Sequence, residues 1–595
     1  MFREPRVDEM KLAKVSFTII IAVILLIGVL NTTSIEVSID KSPSVLIDTE
    51  DNHQLAADEV LIWETIGNPD YLDPHVNYES FGSWIAYNVY ETLYTYPWDS
   101  SVTDPAVPLL AASAPILSMD GLNYTIILRE GITFHDGTPF NATSARWNIM
   151  RAMKIFYPDG PAWMLAEFLK GGATVEAAAF DTGPSSPEFK AAFDDWEANS
   201  DAIIILDDYI LRFVLEDPYP AFIASLTYEI GAMMSPSYVI AHASNPAWAC
   251  WEDYGVDYGE FENPMTYQTC GTGPYMLTNW VPDQFIELDL NPNYWRTSTS
   301  PHAGELEKIY IKTNEDVNGR SLNLRAGTID GCYWPTTNAL DIWSPVTEMS
   351  TDPDIFVSTG GFSYTNIFMG FNMDTINLGS ESVPDEKVSP FRWENFRRAA
   401  SWAVDYDAFI SAALNGFGVQ GEGPIPIGMI GHNSTAFNWE YNLTAAVEEW
   451  NLAMADYDFV DSLNQLDNHL TLYYNSGHIV REQFCLILAD GLMDMWADAE
   501  ADDTDLDAAM TVTTQALEWS NYLDYIRWHK MPLYFCGWAP DYADPDNYLY
   551  PTVYQYGTYA QRIGYNNTDV NDLYELQRVE SVSYTHLTLP TILLV

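Results

Sequence analysis

In the second half of the chain two periodicities alternate, and that alternation constrains the fold more than any other feature. Ile309-Tyr310-Ile311, Ile367 to Phe371, Leu470 to Tyr474 and Val512 to Leu517 are short apolar runs of strand type. Between them lie stretches with helical apolar spacing: Asn318 to Ala326, Trp393 to Asn415 and Ile479 to Ala497. Strands separated by helices long enough to cross over predict an α/β lobe with a mixed sheet.

The first half is richer in strands. Val60-Leu61-Ile62-Trp63 opens the folded region, and Leu72-Asp73-Pro74 turns the chain. Ser83 to Leu93 is spaced as a helix. Tyr124 to Arg129 reads as a strand, with Thr133-Phe134-His135 as its partner, each bounded by an Asp-Gly turn. A helix over Asn141 to Lys154 follows, then an Ala- and acid-rich insertion at 171–200 with a short helix from Pro187. Ile203 to Leu206 with Tyr209 to Leu215, and Tyr275 to Trp280 with Ile286 to Leu290, read as hairpins. No internal repeat is visible.

At 595 residues the chain exceeds one compact core. It carries 26 basic and 84 acidic residues, a net charge of −58, which repels nucleic acid and anionic lipid. The acid is spread along the chain and reads as a solvated surface. Aromatics reach 14%, with 20 Trp and 37 Tyr, the residue types that line ligand clefts.

Val15 to Leu30, with Lys11 and Lys14 before it, has the form of a signal-peptide h-region or an N-terminal membrane anchor. Residues 31–57 are polar and read as a linker. The rest of the chain is therefore expected outside the cytoplasm. Of five Cys, Cys250 and Cys270 bracket a polar loop and are expected to form a disulfide, the alternative being two separate thiols. Cys332, Cys485 and Cys536 sit in apolar segments and read as core. Sequons at Asn31, Asn123, Asn141, Asn433, Asn442 and Asn566 fit an exported glycoprotein; Asn123, Asn141, Asn433 and Asn442 are taken as the glycosylation candidates. The tail at 581–595 (Ser583-Tyr584-Thr585-His586-Leu587-Thr588-Leu589-Pro590) breaks the acidic style of the chain and reads as non-native.

Covalent chemistry has little support. His135-Asp136 precedes Gly137 and reads as a hairpin turn rather than a catalytic dyad. Gly271-Thr272-Gly273-Pro274 lacks what dinucleotide binding requires and reads as a stiff turn. No nucleophile elbow, phosphate loop or metal-ligand spacing occurs, so neither a catalytic residue, a metal nor a cofactor is expected. The segment Trp538-Ala539-Pro540-Asp541-Tyr542-Ala543-Asp544-Pro545-Asp546 differs. It follows a strand at Leu533 to Gly537 and packs acids, aromatics and two Pro into nine residues. A carboxylate held beside an indole can receive an ammonium group; the same residues can also make a solvated turn.

A series of blocks resembles the family 5 extracellular solute-binding proteins, the peptide/nickel-type receptors of ABC importers. In order they are Leu72-Asp73-Pro74, Val89-Tyr90-Glu91-Thr92-Leu93, Pro108-Leu109-Leu110-Ala111, Asp120-Gly121-Leu122-Asn123-Tyr124-Thr125 and Leu128-Arg129-Glu130-Gly131. Phe134-His135-Asp136-Gly137-Thr138-Pro139, Gly271-Thr272-Gly273-Pro274-Tyr275, Asn293-Tyr294-Trp295 and Ala326-Gly327-Thr328-Ile329-Asp330 follow. Phe396-Arg397-Arg398-Ala399-Ala400 and Gly537-Trp538-Ala539-Pro540-Asp541-Tyr542 complete the series. The resemblance covers nearly all of 58–580.

It implies an α/β two-lobe flytrap of the periplasmic-binding-protein type with a small extra domain inserted in the N-terminal lobe and a truncated C-terminal part. The divisions expected are 1–30 signal or anchor, 31–57 linker, 58–95 with 203–290 lobe I, 96–202 the inserted domain, 291–580 lobe II and 581–595 the tail. By resemblance Asp541 takes a ligand's α-ammonium beside Trp538, Trp519 is a wall of the cleft, and Asn77, Tyr78, Glu79 and Ser80 line its other side. Phe535 stands where some members carry Arg, so a basic partner for a ligand carboxylate is not located. The implied function is a monomeric receptor on the outer face of the cytoplasmic membrane, binding oligopeptides and delivering them to ABC permease subunits. An oligosaccharide receptor of the same family is the alternative, a metal-chelate receptor fits the few His less well, and a secreted hydrolase is the reading from another class.

Overall fold

The structure is a computed structural model describing residues 35–39 and 60–579 except 66, 70, 97–105, 158–159, 185, 243–263, 297–305, 333–342, 345–348, 360–363, 380–383, 430, 477, 500–505, 507–508 and 518. The apolar run at 15–30, Cys250, Asn31 and the tail at 581–595 lie outside these residues.

Three larger sheets organise the described chain. The first has five strands in the order Gly331–Cys332, Val60–Thr65, Lys308–Thr313, Phe285–Leu290, Tyr275–Val281. Val60–Thr65 runs parallel to both neighbours, and its alternation buries both faces. Trp63 packs with Leu288, Ile311 and the Ser80–Val89 helix, while Ile62 packs with Tyr310, Leu324 and Cys332. Both hairpins of the first half form as the sequence predicts.

The second sheet is antiparallel, in the order Ile116–Leu117, Asn123–Ile127, Ile210–Val214, Ile203–Asp207. Tyr124, Ile126, Leu211 and Phe213 bury its inner face against the Ala142–Ile155 helix and its neighbours. Thr133-Phe134-His135 does not pair with the Asn123–Ile127 strand; Ile210–Val214 takes that edge and Thr133 bridges only Pro139. The longer apolar strand wins because it offers five registered partners. Residues 171–200 hold two helices, Gly172–Thr182 and Pro187–Asn199, the second started by the Ser186 side chain accepting from Phe189 N.

The third sheet runs Asn366–Phe371, Leu533–Trp538, His469–Asn475, Thr511–Leu517. Leu533 and Phe535 face a helical layer containing Phe396, Trp450 and Leu488; Tyr534, Cys536 and Trp538 face the other way. The stretch 393–415 is two helices, Glu394–Trp402 and Tyr406–Ala413, because Asp405 restarts the chain by accepting from Ala408 N. Gly491 sits where a Cβ would stand 2.0 Å from the Ala403 carbonyl oxygen, so the Ile479–Asp498 helix crosses that break at backbone contact.

The sheets redraw three expected divisions. The 203–214 hairpin joins the second sheet, and strands through Cys332 join the first, so cuts at 202/203 and 290/291 each fall inside a sheet. Within 31–57, Ile35–Ile39 is a strand antiparallel to Ile355–Thr359; its Ile-Glu-Val-Ser-Ile alternation supplies the period of two.

Two buried polar ties fix the loops that lead to the site. Arg151 on the Ala142–Ile155 helix grips Asp73 in a fully buried pair, Nη2 to Oδ2 at 2.5 Å and Nη1 to Oδ1 at 2.9 Å. This anchors the Leu72-Asp73-Pro74 turn. His135 clamps the Gly271–Gly273 turn, its N–H donating to the Gly271 carbonyl and its Nδ1 accepting from Gly271 N. With Gly137 at φ +81° and Asp136 accepting from Thr138 N, His135-Asp136 is the turn the sequence predicts.

Candidate binding site between the lobes

The carboxyl end of the Leu533–Trp538 strand delivers Asp541 to the face of the first two sheets. Tyr78, on the loop after the anchored turn, donates its hydroxyl to Asp541 Oδ2 at 2.7 Å. Asn547 Nδ2 donates to the same oxygen at 2.9 Å. Asn547 Oδ1 in turn accepts from Asp541 N at 2.7 Å and from Trp538 Nε1 at 3.2 Å. One amide therefore ties the indole, the backbone and the carboxylate together. Tyr78 also stands edge-on to Trp538 and to Tyr228, each at 5.8 Å between ring centres.

The structure brings Asp541, Trp538 and Tyr78 together. Tyr78 and Asn547 cover the Asp541 carboxylate. Burial pushes its pKa up from 3.8 to about 7, against the opposing hydrogen bonds from Asn547 and Tyr78. No cationic side chain pairs with it among the described residues. Trp538 is no open platform either, since Tyr78 and Tyr559 close on its ring.

The rest of the expected loop supports the site from behind. Glu79 caps the Ser80–Val89 helix, accepting from Phe81 N and Gly82 N, and Ser80 is the helix's first residue. Asn77 is fully buried and donates to Glu229 Oε1 at 2.8 Å. Trp519 begins the Trp519–Arg527 helix.

Sequence reasoning missed a second carboxyl. Glu229 is 1% exposed and accepts from Ser83 Oγ and Asn77 Nδ2, both at 2.8 Å. Burial first, then the nearby Glu79, holds its pKa well above the ordinary range. The Tyr87 and Tyr228 hydroxyls lie within the fields of both Glu229 and Asp541, and burial with those two charges raises their own pKa values. Nothing in Thr227-Tyr228-Glu229-Ile230 signals this, because its partners are more than a hundred residues away.

Further contacts join the second sheet's side to the helices after Asp541. Trp163 stacks on Tyr550 at 4.1 Å, Tyr550 donates to Glu176 at 2.8 Å, and Tyr574 donates to Glu167 at 2.6 Å. Tyr96 accepts from Ala543 N at 3.2 Å. The arrangement encloses polar groups between two bodies, and among the described residues it aligns no nucleophile with a base. Among the described residues no cluster of three metal-ligating side chains occurs. Of the sequon residues, Asn141 and Asn442 cap helices, Asn433 Oδ1 accepts from Thr435 N and Oγ1, and Asn123 lies on a strand of the second sheet.

Residues 106–560 match the family model described as bacterial extracellular solute-binding proteins, family 5 middle. A probable D,D-dipeptide-binding periplasmic protein of Escherichia coli is 22% identical over 524 residues, covering 88% of this chain and 83% of that protein. Heme-binding protein A of Haemophilus influenzae is 25% identical over 474 residues, covering 78% and 71%. Among solved structures, the ABC transporter-associated periplasmic binding protein DppA of Helicobacter pylori, in complex with a peptide, superposes with a TM-score of 0.60 at 21% identity, covering 88% of this chain and 87% of that one.

Proposed function

We propose, for a chain that belongs to the family 5 bacterial extracellular solute-binding proteins, that it captures short peptides between its lobes and presents them to an ABC permease at the outer face of the cytoplasmic membrane. The observation that carries this reading is the placement of Asp541, a shielded carboxyl without a cationic partner among the described residues, at the junction of the lobes. An α-ammonium supplies the missing charge and takes up the acceptor capacity now shared by Tyr78 and Asn547. Closing on the ligand removes the pair from water, which makes the contact strong and ties occupancy to closure. Several relatives bind peptide-like ligands by name, and one binds haem, so the family alone does not select the ligand.

Calorimetry with trialanine and its N-acetylated form tests the reading. Removing one partner of a buried charge pair costs ~3–5 kcal/mol, so Asp541→Asn weakens trialanine binding by roughly two decades or more. The acetylated peptide binds the native protein poorly and is little affected by the substitution. Equal affinity of both peptides for both proteins refutes the assignment and favours an uncharged ligand such as an oligosaccharide.

A further inference from the structure

Besides the Asp541 carboxyl, a second set of contacts joins the same two bodies, and its chemistry is not that of a permanent core. Trp163, Glu167 and Glu176 belong with the second sheet. Lys170 N donates to the Val214 carbonyl at 3.0 Å, and Glu216 N donates to the Phe168 carbonyl at 3.1 Å. Tyr550 and Tyr574 belong with the third sheet, on the helices Asp546–Val553 and Thr568–Val579. Those helices are tied there by Met373 N, which donates to the Ile563 carbonyl at 2.9 Å, and by Tyr559, edge-on to Phe368 at 5.0 Å. Across the seam the Trp163 and Tyr550 rings stack 4.1 Å apart and 4° from parallel. Tyr550 donates to Glu176 and Tyr574 to Glu167; Tyr96 accepts from Ala543 N, and the Tyr219 and Tyr542 hydroxyls lie 3.5 Å apart. The seam between the third sheet and its own helical layer is apolar instead, with Leu533 and Phe535 in one cluster with Phe396 and Leu488. Groups that hydrogen-bond across a seam recover water when it opens, whereas apolar side chains do not. Surfaces that part and rejoin are therefore the more polar kind.

We propose that Tyr550 with Glu176 and Tyr574 with Glu167 form a closing latch: positioning residues that set ligand affinity by holding the two bodies together. The inference goes beyond the peptide reading and holds for a ligand of any chemistry. Glu167 and Glu176 are 8% and 9% exposed. With the bodies together, each buried carboxyl relies on its Tyr donor; with the bodies apart, water takes the donor's place. Losing the donor therefore penalises the closed arrangement and spares the open one. A ligand enclosed between the bodies binds the closed arrangement, so its apparent affinity scales with the closed fraction. Weakening the latch lowers the affinity of every such ligand by one common factor.

The double variant Tyr550→Phe with Tyr574→Phe keeps both rings and removes both donors. Trp163 is left in place because it also acts on the Tyr78 hydroxyl of the ligand site. Small-angle X-ray scattering of the full chain, stripped of ligand, is expected to give the variant a larger radius of gyration than the native protein, with an unchanged circular dichroism spectrum. In calorimetry, trialanine and tetraalanine are expected to weaken by the same factor, roughly tenfold, the scale of a lost hydrogen bond to a charged group. A radius of gyration that does not grow in the folded variant overturns the latch, and so do peptide affinities that stay unchanged or shift unequally. If neither peptide binds the native protein, the peptide reading fails and scattering alone decides the latch. If the double variant does not fold, Tyr574→Phe is measured in the same way; if that variant does not fold either, the seam is part of one undivided core and the latch is overturned.

Discussion

Replacing Asp541 by Asn removes a charge and little else, which makes it a clean probe of the enclosed carboxyl. Tyr78 and Asn547 both donate to Oδ2, and an amide oxygen in that place accepts from both. The folded carboxyl titrates near 7 and the unfolded one near 3.8. Below 3.8 both states are protonated and the group contributes no pH dependence. Between 3.8 and about 7 the unfolded chain gives up its proton and the folded one keeps it, so stability falls as pH rises through this window. A gap of about three units at ~1.4 kcal/mol each sets an upper bound of ~4 kcal/mol, complete above pH 7. Partial access of water to the carboxylate would lower the realised loss to ~1–4 kcal/mol. Urea unfolding of both proteins at pH 5 and pH 8 reads the difference, with all other groups cancelling. Asp541→Asn should gain stability over the native protein between pH 5 and pH 8, with the larger advantage at pH 8. The same pH slope in both proteins refutes the burial of this carboxyl.

Arg151→Met should destabilise by ~3–5 kcal/mol, because it strands the fully buried Asp73 carboxylate; chemical denaturation at pH 7 checks this, and a loss under 1 kcal/mol would contradict the buried pair. Gly491→Ala should lower the thermal midpoint, since its Cβ meets the Ala403 backbone and two helices must separate; an unchanged midpoint would show that the crossing yields.

Legibility followed distance along the chain. The longer strands of all three sheets announce themselves through alternation or short apolar runs, whereas the two-residue edge strands Ile116–Leu117 and Gly331–Cys332 carry no such signal; Trp538 with Asp541 stands out because acids, Pro and aromatics crowd one short segment. The split at Asp405 was hidden because apolar spacing continues across it, while the break depends on a side-chain cap. The Asp546–Val553 helix was unread because Pro551 lies inside it and Asp-Pro precedes it, both breaker signals that burial of Tyr548 and Tyr550 overrides. Sheet membership was misassigned at 203–214 and 308–332 because pairing of distant strands leaves no local mark. Glu229 escaped for the same reason, as did the covering of Asp541 by Tyr78 from 463 residues away.

The parallel pairing of Val60–Thr65 with Lys308–Thr313 carries a consequence for how the polypeptide is made. The Val60–Thr65 strand cannot complete its ladder until the chain is about half synthesised, and Ile62 N waits 268 residues for Asp330. Meanwhile an apolar segment with two open edges is exposed, the form most prone to wrong partners. The first sheet closes when Cys332 arrives; the junction around Asp541 can assemble only some 200 residues later still. Nascent chains halted before Lys308 should therefore need a holding chaperone, whereas those extended past Cys332 should bury Trp63 and resist protease across the first sheet.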